Sequence, residues 1–314
     1  MIQSQRSQPG LFMARVVSNS RICREHFRVT LRISDFPAAA PGQFVHILCR
    51  NAGDSDANGN TPGTSEWRTG AALSPLLRRP FSIGGLRRNS NQCDIEIVGR
   101  VVGPGTRWLD ALQADDTVDL LGPLGREFTQ PPAGKTALLI AGGVGLPPIQ
   151  WMNEALADAG VERVAFFGAQ SRDLIPLRVT SEPDKSGKPT ACIEEFARHG
   201  TPCAITTDDG TCGLKGRITH ALMQFMGCGG DADRFMAYAC GPEPMLEAVA
   251  KICTARGIAC ELAMERVMGC GLGTCQSCVL PVHDAAYDDG WRYALCCTEG
   301  PVFDARRVLF KAHV

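Results

Sequence analysis

Three closely spaced cysteines, Cys270, Cys275 and Cys278, with the adjacent pair Cys296–Cys297 downstream, constrain this chain more than any other feature. The spacing is Cys-x4-Cys-x2-Cys, then a longer gap to a fourth thiol. That arrangement wraps four thiolates around a plant-type [2Fe–2S] cluster. A loop that does this must bend tightly. Gly269, Gly271 and Gly273 permit the bend and bring backbone N–H groups toward the sulfides. The competing chemistry is structural zinc, which takes paired Cys-x2-Cys or Cys/His knuckles. One such pair is present, and His283 follows it too closely to make a standard second knuckle. The spacing therefore predicts an iron–sulfur site on Cys270, Cys275, Cys278 and one of Cys296 or Cys297.

The remaining cysteines read differently. The chain has 15, an odd number, and most stand singly in apolar surroundings, as Cys49, Cys192, Cys203 and Cys253 do. Such thiols behave as small buried hydrophobes, and no disulfide framework is expected. A length of 314 residues suits two domains with a small appendage. The formal net charge of −1 argues against nucleic acid or an acidic membrane surface as partner. No apolar run reaches bilayer length. The opening MIQSQRSQPG lacks the basic-then-apolar layout of a signal peptide, so a cytoplasmic location is the expectation.

Residues 11–48 alternate apolar and polar positions, with turn signals at Asn19, Pro37 and Pro41–Gly42. Residues 51–74 are rich in Gly, Asn, Ser and Thr and read as a mobile surface loop. Strand-like pieces resume at PFSIGGL, DIEIVGRVV and DTVDLLGP, which together predict an antiparallel β-barrel over 11–130. After Pro131–Pro132 the pattern changes. KTALLIAGG, RVAFFGAQ, CAITTDDG, FMAYACGP and IACELAME are continuous apolar runs, with helical segments between several of them. That predicts a Rossmann-like, doubly wound α/β domain over 131–265, and a small cysteine-rich lobe over 266–314.

Two further segments carry chemistry. In Arg79-Pro80-Phe81-Ser82 a guanidinium can meet a pyrophosphate, a ring can cover a flavin and a hydroxyl can reach it. Alone the tetrapeptide is as compatible with an ordinary strand end. Downstream, Gly103, Gly105 and Thr106 open a helical turn able to hold phosphate. In the second domain, Gly142, Gly143 and Gly145 end an apolar strand, with Pro147–Pro148 beginning a helix. This is a phosphate-accepting turn, although it is not the G-x-G-x-x-G fingerprint. Cys240-Gly241-Pro242 ends another strand, and ligands of such sheets sit beyond the strands' carboxyl ends. For Cys240 the alternative is a core thiol.

The sequential order RPFS, GPGT, AGGVGLPP, ACGPEPML and CGLGTCQSC…CCTEGPVF resembles the ferredoxin–NAD(P)⁺ reductase superfamily. Within it, the order is most similar to the electron-transfer subunits of class 1B dihydroorotate dehydrogenase, from about residue 11 to 309. The resemblance implies FAD, NAD⁺ and a [2Fe–2S] cluster as cofactors. It implies FAD contacts from Arg79, Pro80, Phe81, Ser82, Val98, Gly99, Arg100, Gly105 and Thr106. The family ending Cys-x2-Gly-Pro aligns Cys297 as fourth cluster ligand and leaves Cys296 a neighbour. It further implies an FMN-containing dihydroorotate dehydrogenase catalytic subunit as partner, two of each in a heterotetramer, and electron relay to NAD⁺ in pyrimidine synthesis. A reductase subunit of a hydrogenase or transhydrogenase complex shares the fold and ligands; a stand-alone oxygenase reductase fits less well. A non-redox zinc protein is the bland alternative. Two departures stand out: the long 51–74 segment, and Phe81 where the family has tyrosine. Arg172 and Asp173 leave NAD and NADP both open.

Overall fold

The alternating segments of the first 130 residues form a sheet in the computed structural model, which describes residues 8–50, 75–227 and 233–310. The segment 51–74 read as a loop lies outside the described residues. The strands are β1 (Gly10–Cys23), β2 (His26–Ser34), β3 (Phe44–Ile47), β4 (Arg79–Ser82), β5 (Gly85–Asn89), β6 (Gln92–Arg100) and β7 (Thr117–Leu124). Their order is β4-β3-β7-β1-β2-β6-β5, with neighbours antiparallel. The two ends of this order, β4 and β5, are separated by only Ile83 and Gly84. There Ile83 N–H donates to Gln43 C=O and Gly84 N–H to Glu96 C=O, so the bent chain itself joins the two edges. The expected barrel is thus a curled half-barrel. Its inward set, including Val29, Leu31, Ile33, Val45, Ile47, Ile95 and Ile97, is fully buried, and Leu109 of helix α1 (Pro104–Ala111) joins it.

The apolar runs of the second part become β8 (Thr136–Gly142), β9 (Arg163–Ala169), β10 (Cys203–Thr207), β11 (Leu214–Lys215), β12 (Phe235–Cys240) and β13 (Ala259–Ala263). All pair in parallel, in the order β11-β10-β9-β8-β12-β13. Among the helices between them, α2 (Leu146–Asp158), α3 (Glu194–Ala197), α4 (Ile218–Met226) and α5 (Glu243–Ala255) bury apolar faces on the sheet. Strands covered on both faces need no polar alternation, which is why these read as unbroken apolar runs. Pro147 and Pro148 sit in the first turn of α2, where a missing N–H costs nothing.

The cysteine-rich segment leaves β13, passes through Cys270–Cys278, and turns back in the hairpin β14 (Val279–His283) and β15 (Trp291–Leu295). It then returns as β16 (Val302–Asp304), antiparallel to β13 with Leu262 opposite Phe303. Both ends of the lobe are therefore anchored side by side on the nucleotide sheet. Its thiols Cys278, Cys296 and Cys297 are buried in a core shared with Phe44, Leu121 and Leu124 of the half-barrel.

Arg292 pins the hairpin to the turn after Cys297. Its guanidinium meets Asp284 at 2.7 Å and Glu299 at 2.5 Å, and Glu299 also accepts the Leu295 N–H. Arg292 holds the Asp284 and Glu299 carboxyls below their ordinary range. A carboxylate depressed in the folded state stabilises it above the unfolded pKa and loses that contribution as pH falls through the folded one. Arg292→Met should therefore lower the thermal unfolding midpoint at pH 7. The gap to the parent should narrow as pH drops below about 4, the ordinary carboxylate range. A gap independent of pH would count against the ion triad.

Candidate functional site

A cavity of about 700 Å³ runs between the half-barrel and the nucleotide domain. Its barrel wall is Arg79, Pro80 and Phe81 of β4 with Gly105 and Thr106 of α1. Gly241, Glu243 and the segment Met264–Met268 face them from the other side. Arg79 has no ion-pair partner among the described residues, whereas its neighbour Arg78 is held by Asp119 at 2.8 Å. A free guanidinium beside a helix N-terminus is a ready anion site. The Thr106 hydroxyl is used within the turn, accepting from the Val102 and Gly103 N–H groups at 2.9 and 3.0 Å. Its part is to shape the helix start. Gly105 packs closely on this wall: a Cβ there would sit 3.2 Å from Cγ of Arg79, a tight contact, and 3.4 Å from the Cys49 sulfur, an ordinary one.

Other residues implicated in flavin binding lie away from the cavity lining. Val98, Gly99 and Arg100 pair with Arg28, Phe27 and His26 of β2. Gly99 is filled by the Phe27 ring, 2.6 Å from where a Cβ would be, and Arg100 is ion-paired with Glu25 at 2.8 Å. Ser82 stands opposite Phe44 in β3.

At the carboxyl ends of the parallel strands, the turn after β8 packs against the turn after β12. A Cβ on Gly145 would lie 2.4 Å from the Cys240 carbonyl oxygen, and one on Gly142 2.5 Å from the Met245 sulfur. At Gly145, where the contact is to backbone, only glycine permits that approach; at Gly142 the methionine side chain would have to move. Gly143 has φ +52 and opens onto free space, leaving room for a ligand over the turn. Pro242 caps α5, and burial pushes the half-buried Cys240 thiol up to about 12, with Glu265 adding to the effect. Cys240 is thus a neutral thiol, a packing and donor group rather than a nucleophile. Beyond β9, Asp173 is paired with Arg24 of the barrel at 2.8 Å and Arg172 with Glu182 at 3.1 Å.

The cluster thiols group as two pairs. The Leu272 and Cys275 N–H groups both point at the Cys270 sulfur, at 3.3 and 3.4 Å. The Cys297 N–H points at the Cys278 sulfur at 3.4 Å. The Ser277 hydroxyl, 3.2 Å from Cys275, holds that thiol below its ordinary range, down to about 6. Burial and the adjoining Cys278 push Cys297 up to about 12. Such a thiol ionises readily only beside a cation. Cys296 turns away and donates to the Met264 carbonyl at 3.3 Å. Gly271 (φ +74) and Gly273 (φ +85) make the bends expected of them. Among the described residues no three His, Cys, Asp or Glu side chains stand close enough together to hold a metal ion; the four thiols lie as two pairs, Cys270 with Cys275 and Cys278 with Cys297.

Curated relatives match most of this chain in sequence. An electron transfer subunit of dihydroorotate dehydrogenase B (NAD(+)) from Bacillus caldolyticus is 34% identical over 273 residues, 86% of each chain. Its counterpart from Geobacillus thermodenitrificans is 36% identical over the same share. The chain belongs to the family of dihydroorotate dehydrogenase B electron transfer subunits. Family models agree part by part. Residues 265–309 match the iron–sulfur cluster binding domain of dihydroorotate dehydrogenase B, 139–251 an oxidoreductase NAD-binding domain, and 15–127 a siderophore-interacting FAD-binding domain. This family member is accordingly an oxidoreductase subunit whose cofactors are FAD, NAD and an iron–sulfur cluster. Among solved structures, an NADH-dependent reduced ferredoxin–NADP oxidoreductase matches 95% of this chain and 90% of its own, with TM-score 0.69 and 22% identity. A ferredoxin reductase of carbazole 1,9a-dioxygenase matches 81% and 68%, with TM-score 0.59 and 17% identity. Both share the fold.

Sequence reasoning passed over three features: the cavity wall Met264–Met268, the anchoring of Cys275 by Ser277, and His46. His46 is fully buried against the cluster loop, and burial, with Arg78 and Arg79 near, pushes it down to about 4. A lone histidine inside the apolar FVHI strand was the available signal.

Proposed function

We propose that this chain carries electrons from an FMN-containing dihydroorotate dehydrogenase catalytic subunit to NAD⁺, in the de novo synthesis of UMP. The observation that carries the reading is continuity: one cavity joins the Arg79–Phe81 wall to the carboxyl edge of the nucleotide sheet, and the segment Met264–Met268 that closes it leads directly into Cys270. FAD bound there would supply hydride exchange with nicotinamide and one-electron exchange with a [2Fe–2S] cluster.

The chain's own residues do the rest. Residues 11–130 would hold FAD, with Arg79 and the start of α1 meeting its pyrophosphate and Pro80 and Phe81 its ring system; Ser82 and Val98–Arg100, set back from the lining, would support that wall. Residues 131–265 hold NAD⁺ over Gly142, Gly143 and Gly145, with Cys240, Gly241 and Pro242 bounding the nicotinamide side. Residues 266–314 hold the cluster through Cys270, Cys275, Cys278 and Cys297. Met264 and Met268 are buried and exclude water from the inner end of the cavity. No side chain is required to act as a general base, because a hydride needs none. Leu272, half exposed beside Cys270, and the exposed Cys275 mark the face presented to the catalytic subunit. Two copies of each subunit form a cytoplasmic heterotetramer. Among the described residues, no helix is long and apolar enough to cross a membrane.

The test is co-purification from the native host followed by assay. The complex should reduce NAD⁺ when given dihydroorotate, and the isolated chain should be brown-yellow with stoichiometric iron and sulfide. Co-purification with hydrogenase subunits and indifference to dihydroorotate would redirect the assignment to another reductase complex. A colourless protein holding zinc would end the redox reading.

A further inference from the structure

Strand β3 presents its side chains to two different interiors. Val45 and Ile47 enter the half-barrel core, while Phe44 joins the core that contains Cys278, Cys296 and Cys297. By the period of two, His46 faces the same way as Phe44, and their rings lie 5.6 Å apart. His46 has no solvent exposure, and neither ring nitrogen has a hydrogen-bond partner among the described residues. Buried polar groups are nearly always paired, so an imidazole unpartnered on both nitrogens calls for an explanation.

Its neighbours narrow the possibilities. The ring stands over Gly271: a Cβ there would lie 2.9 Å from Cε1 and 3.0 Å from Nδ1. Gly271 directly follows Cys270, whose sulfur already receives the Leu272 and Cys275 N–H groups. Across the sheet His46 is registered with Pro80, which lines the large cavity, and with Leu121. Arg78 and Arg79 are close enough to disfavour a positive charge on the ring, but a guanidinium only donates and cannot receive an imidazole N–H. An anionic sulfur can.

We propose that His46 is a positioning residue that donates a hydrogen bond from the half-barrel to a sulfur of the cluster held by the Gly271 loop, and thereby raises the cluster's reduction potential. The inference rests on the iron–sulfur reading above. Reduction adds negative charge to the cluster, so a donor aimed at its sulfur favours the reduced form. The small residue at 271 is what lets the imidazole approach.

The experiment uses the full chain with its flavin and cluster, alone or in complex with its partner. The cluster is titrated by electron paramagnetic resonance and the flavin by absorbance in the same samples. His46→Phe should make the cluster harder to reduce by about tenfold in equilibrium, which is about 59 mV for a one-electron couple, and leave the flavin unmoved. His46→Gln, which restores an N–H, should stay within about threefold of the parent. Full iron and sulfide content with an unshifted cluster in His46→Phe would overturn the proposal. So would a shift confined to the flavin, or equal loss of cluster in His46→Phe and His46→Gln, since the ring would then serve the flavin or the packing alone. A parent protein lacking iron and sulfide would instead sink the underlying iron–sulfur reading.

Discussion

Replacing Cys297 by alanine is expected to strip the iron–sulfur cluster from the protein, whereas replacing Cys296 by alanine is expected to leave it in place. The two residues are neighbours in sequence, both buried, and both pushed up to about 12 in pKa. Their geometry separates them. The Cys297 N–H donates to the Cys278 sulfur, and the two thiols lie side by side in the manner of a ligand pair. The Cys296 thiol is committed to the Met264 carbonyl, which orients it toward the nucleotide sheet. Iron and sulfide analysis should read at least a tenfold loss for Cys297→Ala and near-parental content for Cys296→Ala. Because the proposed flavin and nucleotide sites lie in the cavity between the half-barrel and the nucleotide domain rather than in the lobe, NADH-dependent reduction of a small artificial acceptor should survive in both variants. Dihydroorotate-dependent NAD⁺ reduction in the complex should vanish only with Cys297→Ala. The opposite pattern would reassign the fourth ligand.

The sequence was most informative where chemistry demands fixed spacing. The Cys-x4-Cys-x2-Cys loop, the glycines after β8 and the unbroken apolar runs of β8, β9, β10 and β12 each leave a local trace, and each appears where its trace lies. What could not be read depends on segments distant in sequence. That the loop at Gly271 lies over His46 is a relation across more than two hundred residues, and no period in either segment encodes it. The pairing of β16 with β13 is hidden for the same reason: Val302–Asp304 is short and separated from its partner by the whole lobe. The half-barrel's curl follows from a bend at Ile83–Gly84, where two strand-like pieces looked continuous. Arg79 was singled out by its motif, but only the structure shows that, among the described residues, Arg78 is ion-paired with Asp119 while Arg79 has no ion-pair partner.

That difference between adjacent arginines supports the second large expectation. Arg79→Ala should weaken FAD binding by about ten- to hundredfold, the range set by roughly 1.5–3 kcal/mol for a hydrogen bond to a charged group. Arg78→Ala should act differently. Its guanidinium bonds both the Asp119 carboxylate and the Asp119 carbonyl, so its loss should lower the unfolding midpoint with less effect on flavin content. Arg79→Lys should fall between the parent and Arg79→Ala, because an ammonium keeps the charge but loses the planar fork that grips two phosphate oxygens at once. Flavin occupancy after gel filtration and titration of the apoprotein with FAD would measure all three. Equal flavin affinity in the parent and Arg79→Ala, with both proteins folded, would remove Arg79 from the pyrophosphate. The anion would then have to be held by the N–H groups opening α1 alone, and Arg79, which lines the cavity without an ion-pair partner among the described residues, would need another ligand to explain it.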